Sequence, residues 1–166
     1  GLQVGGSYQP RSGGTANADG GTSEGNGKSG WEYAADWSPE MVPGLRVGGV
    51  IGQCEDCNQG NKDTDEETFF ATYAYGPLSI GYQVADIDNG TDSYDTDIYG
   101  VSFNVNDALS VSYQYGETDG SNASYNTADF EGISAAYNIG PMAIKFTDNS
   151  GKNMNGTTKD DDHREL

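Results

Sequence analysis

The stretch Leu109-Ser-Val-Ser-Tyr-Gln-Tyr115 decides the fold, because apolar and polar side chains alternate along it without a break. Successive side chains of a β-strand point to opposite faces of a sheet. Leu109 and Val111 therefore share one face with the two tyrosines, while Ser112 and Gln114 lie on the other. The pattern predicts a strand with one apolar face and one small, polar face.

The same alternation recurs along the chain and predicts an antiparallel meander. Tight turns are expected at Pro39–Gly44, Gly76–Pro77, Asn106–Asp107 and Gly140–Pro141, and long polar segments separate the strands at the opposite end. The ten predicted strands are Leu2–Gln9, Trp31–Ser38, Leu45–Gly52, Thr68–Tyr75, Leu78–Ala85, Asp97–Val105, Leu109–Tyr115, Glu131–Ile139, Met142–Thr147 and an incomplete one that stops at Leu166. This layout is typical of an up-and-down transmembrane β-barrel of the outer membrane.

The chemistry of the polar face favours a membrane barrel over a soluble β-sandwich. A sandwich surface usually carries Lys, Glu, Arg and Thr, whereas the polar strand faces here carry Gly, Ser, Ala, Gln and Asn. Small neutral groups suit a wall that faces confined water, and tyrosines near strand ends suit a membrane interface. The residues predicted to line a pore are Glu32, Asp36, Arg46, Gln83, Ser110, Ser112, Gln114 and Lys145.

The composition excludes a helical membrane protein and is compatible with a barrel. The 166 residues are 34% hydrophobic, with a mean hydropathy of −0.69. No run approaches the roughly 20 consecutive apolar residues of a membrane helix. Because only alternate residues of a barrel strand touch lipid, low mean hydropathy does not argue against a barrel.

The chain is strongly acidic, with 26 acidic and 8 basic residues and a formal net charge of −18. This argues against nucleic acid as a partner, since phosphate binding needs a basic patch. The acids cluster in the predicted long loops, where they are either ordinary solvated side chains or a field that attracts cations to a pore mouth. Divalent cations would bridge such carboxylates naturally, although no segment matches a calcium loop. The loop acids of interest are Asp63, Asp65, Glu66, Asp92 and Asp95.

The two cysteines, Cys54 and Cys57, lie at the start of a predicted loop. Two thiols are too few for a closed zinc site, and the neighbouring acids disfavour the thiolates of a redox motif. A local disulfide in an oxidising compartment is favoured over free thiols. The single histidine, His163, lies in a charged segment, and no catalytic, metal or cofactor motif is present. We therefore expect neither an enzyme nor a bound cofactor or metal.

Several segments resemble the C-terminal portion of a Gram-negative general porin of the alphaproteobacterial kind. They are Gly81-Tyr-Gln-Val, Val101–Glu117 and Ile133–Phe146, and the ending Asp161-Asp-His-Arg-Glu-Leu resembles the lead-in to the family's final strand. The resemblance implies a water-filled barrel, commonly a homotrimer with about sixteen strands per chain. It also implies passive passage of small hydrophilic solutes through the outer membrane. The chain departs from the family in having no signal peptide at its start and no terminal aromatic residue.

We therefore expect residues 1–166 to form one β-barrel domain, incomplete at both ends and without the family's inward-folded constriction loop; a self-contained ten-stranded barrel is the alternative. The expected function is a passive, weakly cation-selective pore for small hydrophilic solutes and ions, surrounded by outer-membrane lipid. Two other classes remain open. One is a secreted or surface acidic β-sandwich that binds divalent cations or partners through its loops, and the other is a barrel with a plugged lumen.

Overall fold

The structure is a computed structural model that describes residues 1–10, 29–58 and 62–165 and arranges them in one antiparallel sheet. Its strands are β1 Leu2–Gln9, β2 Gly30–Trp37, β3 Leu45–Asn58, β4 Lys62–Tyr75, β5 Leu78–Asp88, β6 Ser93–Asn104, β7 Leu109–Gly120, β8 Ala128–Ile139, β9 Met142–Lys152 and β10 Asp161–Glu165. Each strand pairs with the next in the chain, so the predicted up-and-down meander is confirmed. Within the described residues β1 and β10 do not pair with each other, so the sheet is open rather than a closed ten-stranded barrel.

One end of the sheet, which we call the turn end, is built from short connections. Gly76 and Gly140 are each the first residue of a two-residue turn whose second residue is proline, and their φ angles are 56° and 57°. Glycine at the first position of such a turn suits the type II′ hairpin, whose twist matches that of the strands. The connection from β6 to β7 is longer than the predicted two-residue turn. Asn106 closes it by accepting hydrogen bonds from the backbone N–H groups of Ala108 and Leu109, at 2.8 and 2.9 Å.

At the opposite end, the loop end, the strands continue beyond their predicted limits. β3 and β4 extend through most of the predicted loop Gln53–Glu66, and β5 and β6 extend until Asp88 pairs with Ser93. The predicted lengths of these loops are wrong, because the backbone ladder continues through residues whose own propensity disfavours strands. The predicted polar segment Pro10–Gly30 lies largely outside the described residues.

The apolar side of the sheet is bare. Ile80, Ile133 and Ile144 are 50%, 55% and 49% exposed, and Ala128 is the only buried residue among the alanines, aliphatic and aromatic residues of the described part of the chain. A soluble sandwich would cover such a face with a second sheet. The sandwich alternative is therefore wrong, and the exposed face matches the lipid-facing wall of a barrel. No helix among the described residues is long and apolar enough to cross a membrane.

The strand register assigns each side chain to one of two faces. Val111 pairs with Phe103 and Ala135, whereas the next residue, Ser112, pairs with Ser102 and Ser134. Directly opposed residues share a face, so apolar side chains meet apolar ones across several strands. We call the face that bears Val111 the apolar face and the face that bears Ser112 the polar face.

Aromatic rings cover glycines on neighbouring strands of both faces. Phe69 lies over Gly49 on the apolar face, and Phe70 lies over Gly48 on the polar face. A Cβ at either glycine would collide with the ring, so the glycine makes the space that the ring fills. Such pairs let a strand bend at glycine without losing its packing.

A disulfide joins Cys54 to Cys57 at the loop end of β3. The two Cα atoms lie 5.5 Å apart, a normal separation for bridged cysteines. The ladder with β4 shifts register between Cys54 and Asn58, and Asp56 inside this irregularity has a φ of 55°. The bridge therefore spans a local bulge rather than linking separate strands.

The facing assignment predicts unequal effects of charge on two adjacent positions. Val111→Arg should destabilise the full-length protein by about 2–4 kcal/mol, because it places a charge on the lipid-facing side near the middle of the apolar band. Ser112→Arg should cost much less, since its side chain enters water. Urea unfolding midpoints in lipid vesicles measure both, and equal losses would contradict the assignment of faces.

The cysteine pair predicts a specific oxidation state. Protein isolated from cells and alkylated without reductant should carry no alkyl group at Cys54 or Cys57, because an oxidising compartment preserves the bridge. Mass spectrometry of the intact chain reports the number of alkylated thiols. Two modified thiols would refute the bridge, while reduction of so small a ring should change the unfolding midpoint little.

Candidate functional site

All eight residues that the sequence predicted for a pore wall lie on the polar face. The register aligns Arg46 with Thr72, then Thr72 with Gly81, and so on across the sheet, which brings these side chains to one surface. They come from five strands, β2, β3, β5, β7 and β9. The eight residues are Glu32, Asp36, Arg46, Gln83, Ser110, Ser112, Gln114 and Lys145.

Hydroxyl groups pair across neighbouring strands of the polar face, and this pairing was not predicted, although Ser112 itself was expected on the pore wall. Ser112 and Ser134 lie 2.7 Å apart through their Oγ atoms, and Thr96 and Thr118 lie 3.0 Å apart through their Oγ1 atoms. These pairs bridge neighbouring strands at positions where a soluble sheet usually carries long charged side chains. Longer predicted strands would have included Thr96 and Thr118, whereas Ser112 and Ser134 lie within predicted strands and only the register shows that they are paired.

Arg46 is held on the polar face by an acid and an aromatic ring. Its Nη2 and Nε atoms lie 2.5 and 2.7 Å from Asp36 Oδ2. The guanidinium carbon lies 5.1 Å from the centre of the Phe70 ring, which adds a cation–π contact. Asp36 and Arg46 therefore largely cancel each other's charge on this wall.

Most of the predicted loop acids are strand residues that face away from the polar side. Asp63, Asp65 and Glu66 lie in β4 and Asp95 lies in β6, so their placement in loops was wrong; Asp92 does lie in a loop. Only Glu66 projects from the polar face, opposite Gly52. The position along the strand decides the direction of each side chain, because successive residues of a strand point to opposite faces of the sheet.

The outward acids form a belt above the apolar band at the loop end. We call it the acidic belt, and its members on β4 to β9 are Asp65, Glu67, Asp86, Asp88, Asp95, Asp97, Glu117, Asp119, Asp129, Glu131 and Asp148. Tyrosines at the edge of the apolar band donate hydrogen bonds into it: Tyr113 to Glu131 and Tyr115 to Asp129, both at 2.8 Å. The ring lies toward the apolar side and the hydroxyl toward the charged side, as in an interfacial aromatic girdle.

Crowding within the acidic belt changes the ionisation of one carboxyl. Asp86 lies beyond the apolar band and faces Asp95 on β6. The hydrogen bond with Asp95, assisted by desolvation and by repulsion from nearby carboxylates, raises the pKa of Asp86 to about 6. The pair therefore holds a shared proton under mildly acidic conditions.

Two connections at the loop end, 121–127 and 153–160, pack against each other. The ring of Tyr125 contacts Gly120 and Gly156 and lies 5.4 Å from the ring of Tyr94, edge to face. Asn126 donates its backbone N–H to the carbonyl of Gly156 at 3.0 Å. These contacts join residues about 30 positions apart, so local sequence patterns did not predict them.

The described residues contain no group of three or more His, Cys, Asp or Glu side chains arranged to hold a metal ion. His163 lies 2.9 Å from Glu165 and faces the polar side, at the edge strand β10. Asp86 and Asp95 of the acidic belt are close enough to share a proton. The described carboxylates nevertheless form no cluster that could hold a metal ion.

Comparisons with known proteins agree with this architecture. A family profile described as Gram-negative porin matches residues 1–164. Outer-membrane expressed OmpT of Vibrio cholerae is similar in structure, with a TM-score of 0.50 and 13% identity, covering 76% of this chain and 54% of that chain. The loop L8 deletion mutant of OmpT gives a TM-score of 0.43 and 16% identity, covering 98% and 70%. A search of curated proteins found no match.

The present chain spans about half the length of the OmpT structure, and a likeness at such low identity concerns the fold alone. The expected alphaproteobacterial type stays a prediction. The family profile, in contrast, extends over nearly every residue and agrees with a meander whose bare apolar face requires lipid. The chain therefore belongs to the Gram-negative porins, and its location is the outer membrane.

Proposed function

We propose that this chain forms part of the wall of a passive pore for small hydrophilic solutes and ions. The observation that carries the proposal is the polar face, on which serine, glycine, glutamine and threonine residues line up across neighbouring strands. Such a surface suits confined water, and its opposite face suits lipid. By family likeness, the chain is part of a single barrel domain in a homotrimer and carries no catalytic activity.

Conductance is the first test of this proposal. The full-length protein, purified in detergent and added to planar bilayers, should produce stable, stepwise current increases in KCl. A plugged barrel would insert without such steps. Absence of ion conductance after verified insertion of the protein would therefore refute the proposed pore.

The charges of the polar face support a weak preference for cations. The acids on it include Glu32, Glu66 and Asp36, and the bases include Arg46, Lys145 and Lys62, whose ammonium donates to the Gly90 carbonyl at 2.7 Å. Arg46 neutralises Asp36, and the other two bases offset Glu32 and Glu66. The acids of β10, Asp161 and Glu165, which flank His163, leave a small acidic balance.

The acidic belt contributes little to this preference, because it faces away from the water-filled side. Charges separated by wide aqueous regions interact over about one Debye length, roughly 8 Å at 0.15 M salt. The net charge of −18 therefore overstates the field that a permeating ion meets. Selectivity should be modest, strongest in dilute salt, and nearly lost at 1 M.

Two adjacent glutamates provide a matched test of this preference. Glu66→Gln removes an acid from the polar face, whereas Glu67→Gln removes the next acid along the same strand, from the acidic belt. We expect Glu66→Gln to move the zero-current potential toward zero across a tenfold KCl gradient at low mean salt. Glu67→Gln should leave it unchanged.

The sign and the pattern of these potentials are both informative. An anion-selective sign in the unsubstituted protein would contradict the cation preference. Equal shifts for the two variants would mean that selectivity follows total charge rather than facing. Unchanged single-channel conductance at 1 M KCl serves as the control for intact folding of both variants.

A further inference from the structure

An open pocket of about 410 Å³ lies on the polar face between β7 and β10. Its lining residues come from β7, β8, β9 and β10, the last through Asp161 and His163, and the 3₁₀ turn Met154–Gly156 borders it at the loop end. The pocket follows β9 from Lys145 to Gly151. Six residues of strand correspond to about 20 Å, which is long enough for a small organic molecule to lie along the wall.

Lys145 supplies the ammonium of this pocket, and that ammonium is available. No hydrogen bond or ion pair joins its side chain to any residue that the structure describes. Arg46, the other base predicted for this wall, is instead held by Asp36 at 2.5 Å. Lys145 can therefore offer its three N–H donors to a solute.

The acids nearest to Lys145 leave this ammonium free. Glu165 attracts it through charge, but the Glu165 carboxylate is engaged by His163 at 2.9 Å. Asp161 pairs with Gly151 and therefore lies about 20 Å along the strand from Lys145. That separation exceeds twice the Debye length of about 8 Å at physiological salt, so Asp161 scarcely affects an anion bound at Lys145.

Neutral hydrogen-bonding groups continue the pocket beyond Lys145. Thr147 and Asn149 follow it on β9, and Gln114 and the bridged hydroxyls of Ser112 and Ser134 lie on the neighbouring strands. Each of these groups accepts as well as donates hydrogen bonds. They match a chain of hydroxyl groups better than they match a second charge.

The loop end of the pocket is apolar. The Phe130 ring lies over Gly116, and Met154 lies over Gly151, so a flat ring and a thioether border the polar wall. The C–H surface of a polyol packs on such groups, while its hydroxyls reach the strand side chains. The pocket therefore combines the Lys145 ammonium, several neutral polar groups and an apolar border, with Asp161 and His163 on its β10 side.

We propose that this pocket binds small organic carboxylates that carry hydroxyl groups, with the carboxylate at Lys145 and the hydroxyls along Ser112, Ser134 and Thr147. The inference rests on the proposed pore, because it places the pocket beside the path of permeating solutes. Binding here retains such solutes on the wall of a channel whose overall preference is for cations.

Gluconate and glucose distinguish recognition of the carboxylate from recognition of the polyol. With the full-length protein in a planar bilayer at constant KCl, millimolar gluconate should produce transient current blocks, and equal concentrations of glucose should produce far fewer. Lys145→Gln should weaken the gluconate block about tenfold, the usual scale of one charge-assisted hydrogen bond. Lys145→Arg should retain most of it.

Lys152 provides the matched control, because it lies on the same strand but on the apolar face, opposite Asp129. Lys152→Gln should leave the gluconate block unchanged. A similar block by glucose and gluconate, or an undiminished gluconate block in Lys145→Gln, would overturn the proposed site. Open channels that show no gluconate block would also overturn the proposed site but would leave the proposed pore standing. Absence of conductance would refute the pore.

Discussion

The continuous antiparallel ladder is the constraint on which the rest of the structure depends. Backbone N–H and C=O groups have no water to bind in a hydrocarbon layer, so each strand must satisfy them through its neighbours. From β2 to β9 every strand does so on both edges. The ladder fixes the period of two, and this period in turn decides which side chains meet lipid and which meet water.

The ladder also explains why the chain needs no hydrophobic core. Among the described residues no large side chain is fully buried, and the stabilising apolar contacts lie along the surface of one sheet. Rings that cover glycines, such as Phe69 over Gly49 and Phe130 over Gly116, supply part of the packing that a second layer supplies in soluble proteins. The remainder must come from lipid.

Total charge and pore charge are separate quantities in this protein. Of two successive glutamates on β4, Glu66 faces the polar side and Glu67 the acidic belt, although both contribute equally to the charge of −18. The belt lies where tyrosine hydroxyls such as that of Tyr113 can donate to it. An argument from composition alone therefore overestimates the field inside the pore.

The strands and their faces could be predicted because alternation is local, and all eight residues expected on the polar wall share one face. The strand ends could not, because acidic segments such as 63–67 have low strand propensity and pair only through the ladder. The contact of Tyr125 with Gly156 was also beyond local patterns, since it joins two separate connections. The pocket at Lys145 combines side chains from several strands and required the register.

Spin labels placed one at a time at positions 110–114 of β7 test the central claim most directly. The full-length protein, with Cys54 and Cys57 replaced by serine, is reconstituted in lipid vesicles, and the accessibility of each nitroxide to oxygen and to a water-soluble nickel chelate is measured. The two-faced wall predicts high oxygen accessibility at 111 and 113 and high chelate accessibility at 110, 112 and 114. Chelate access that is equal at all five positions would contradict it.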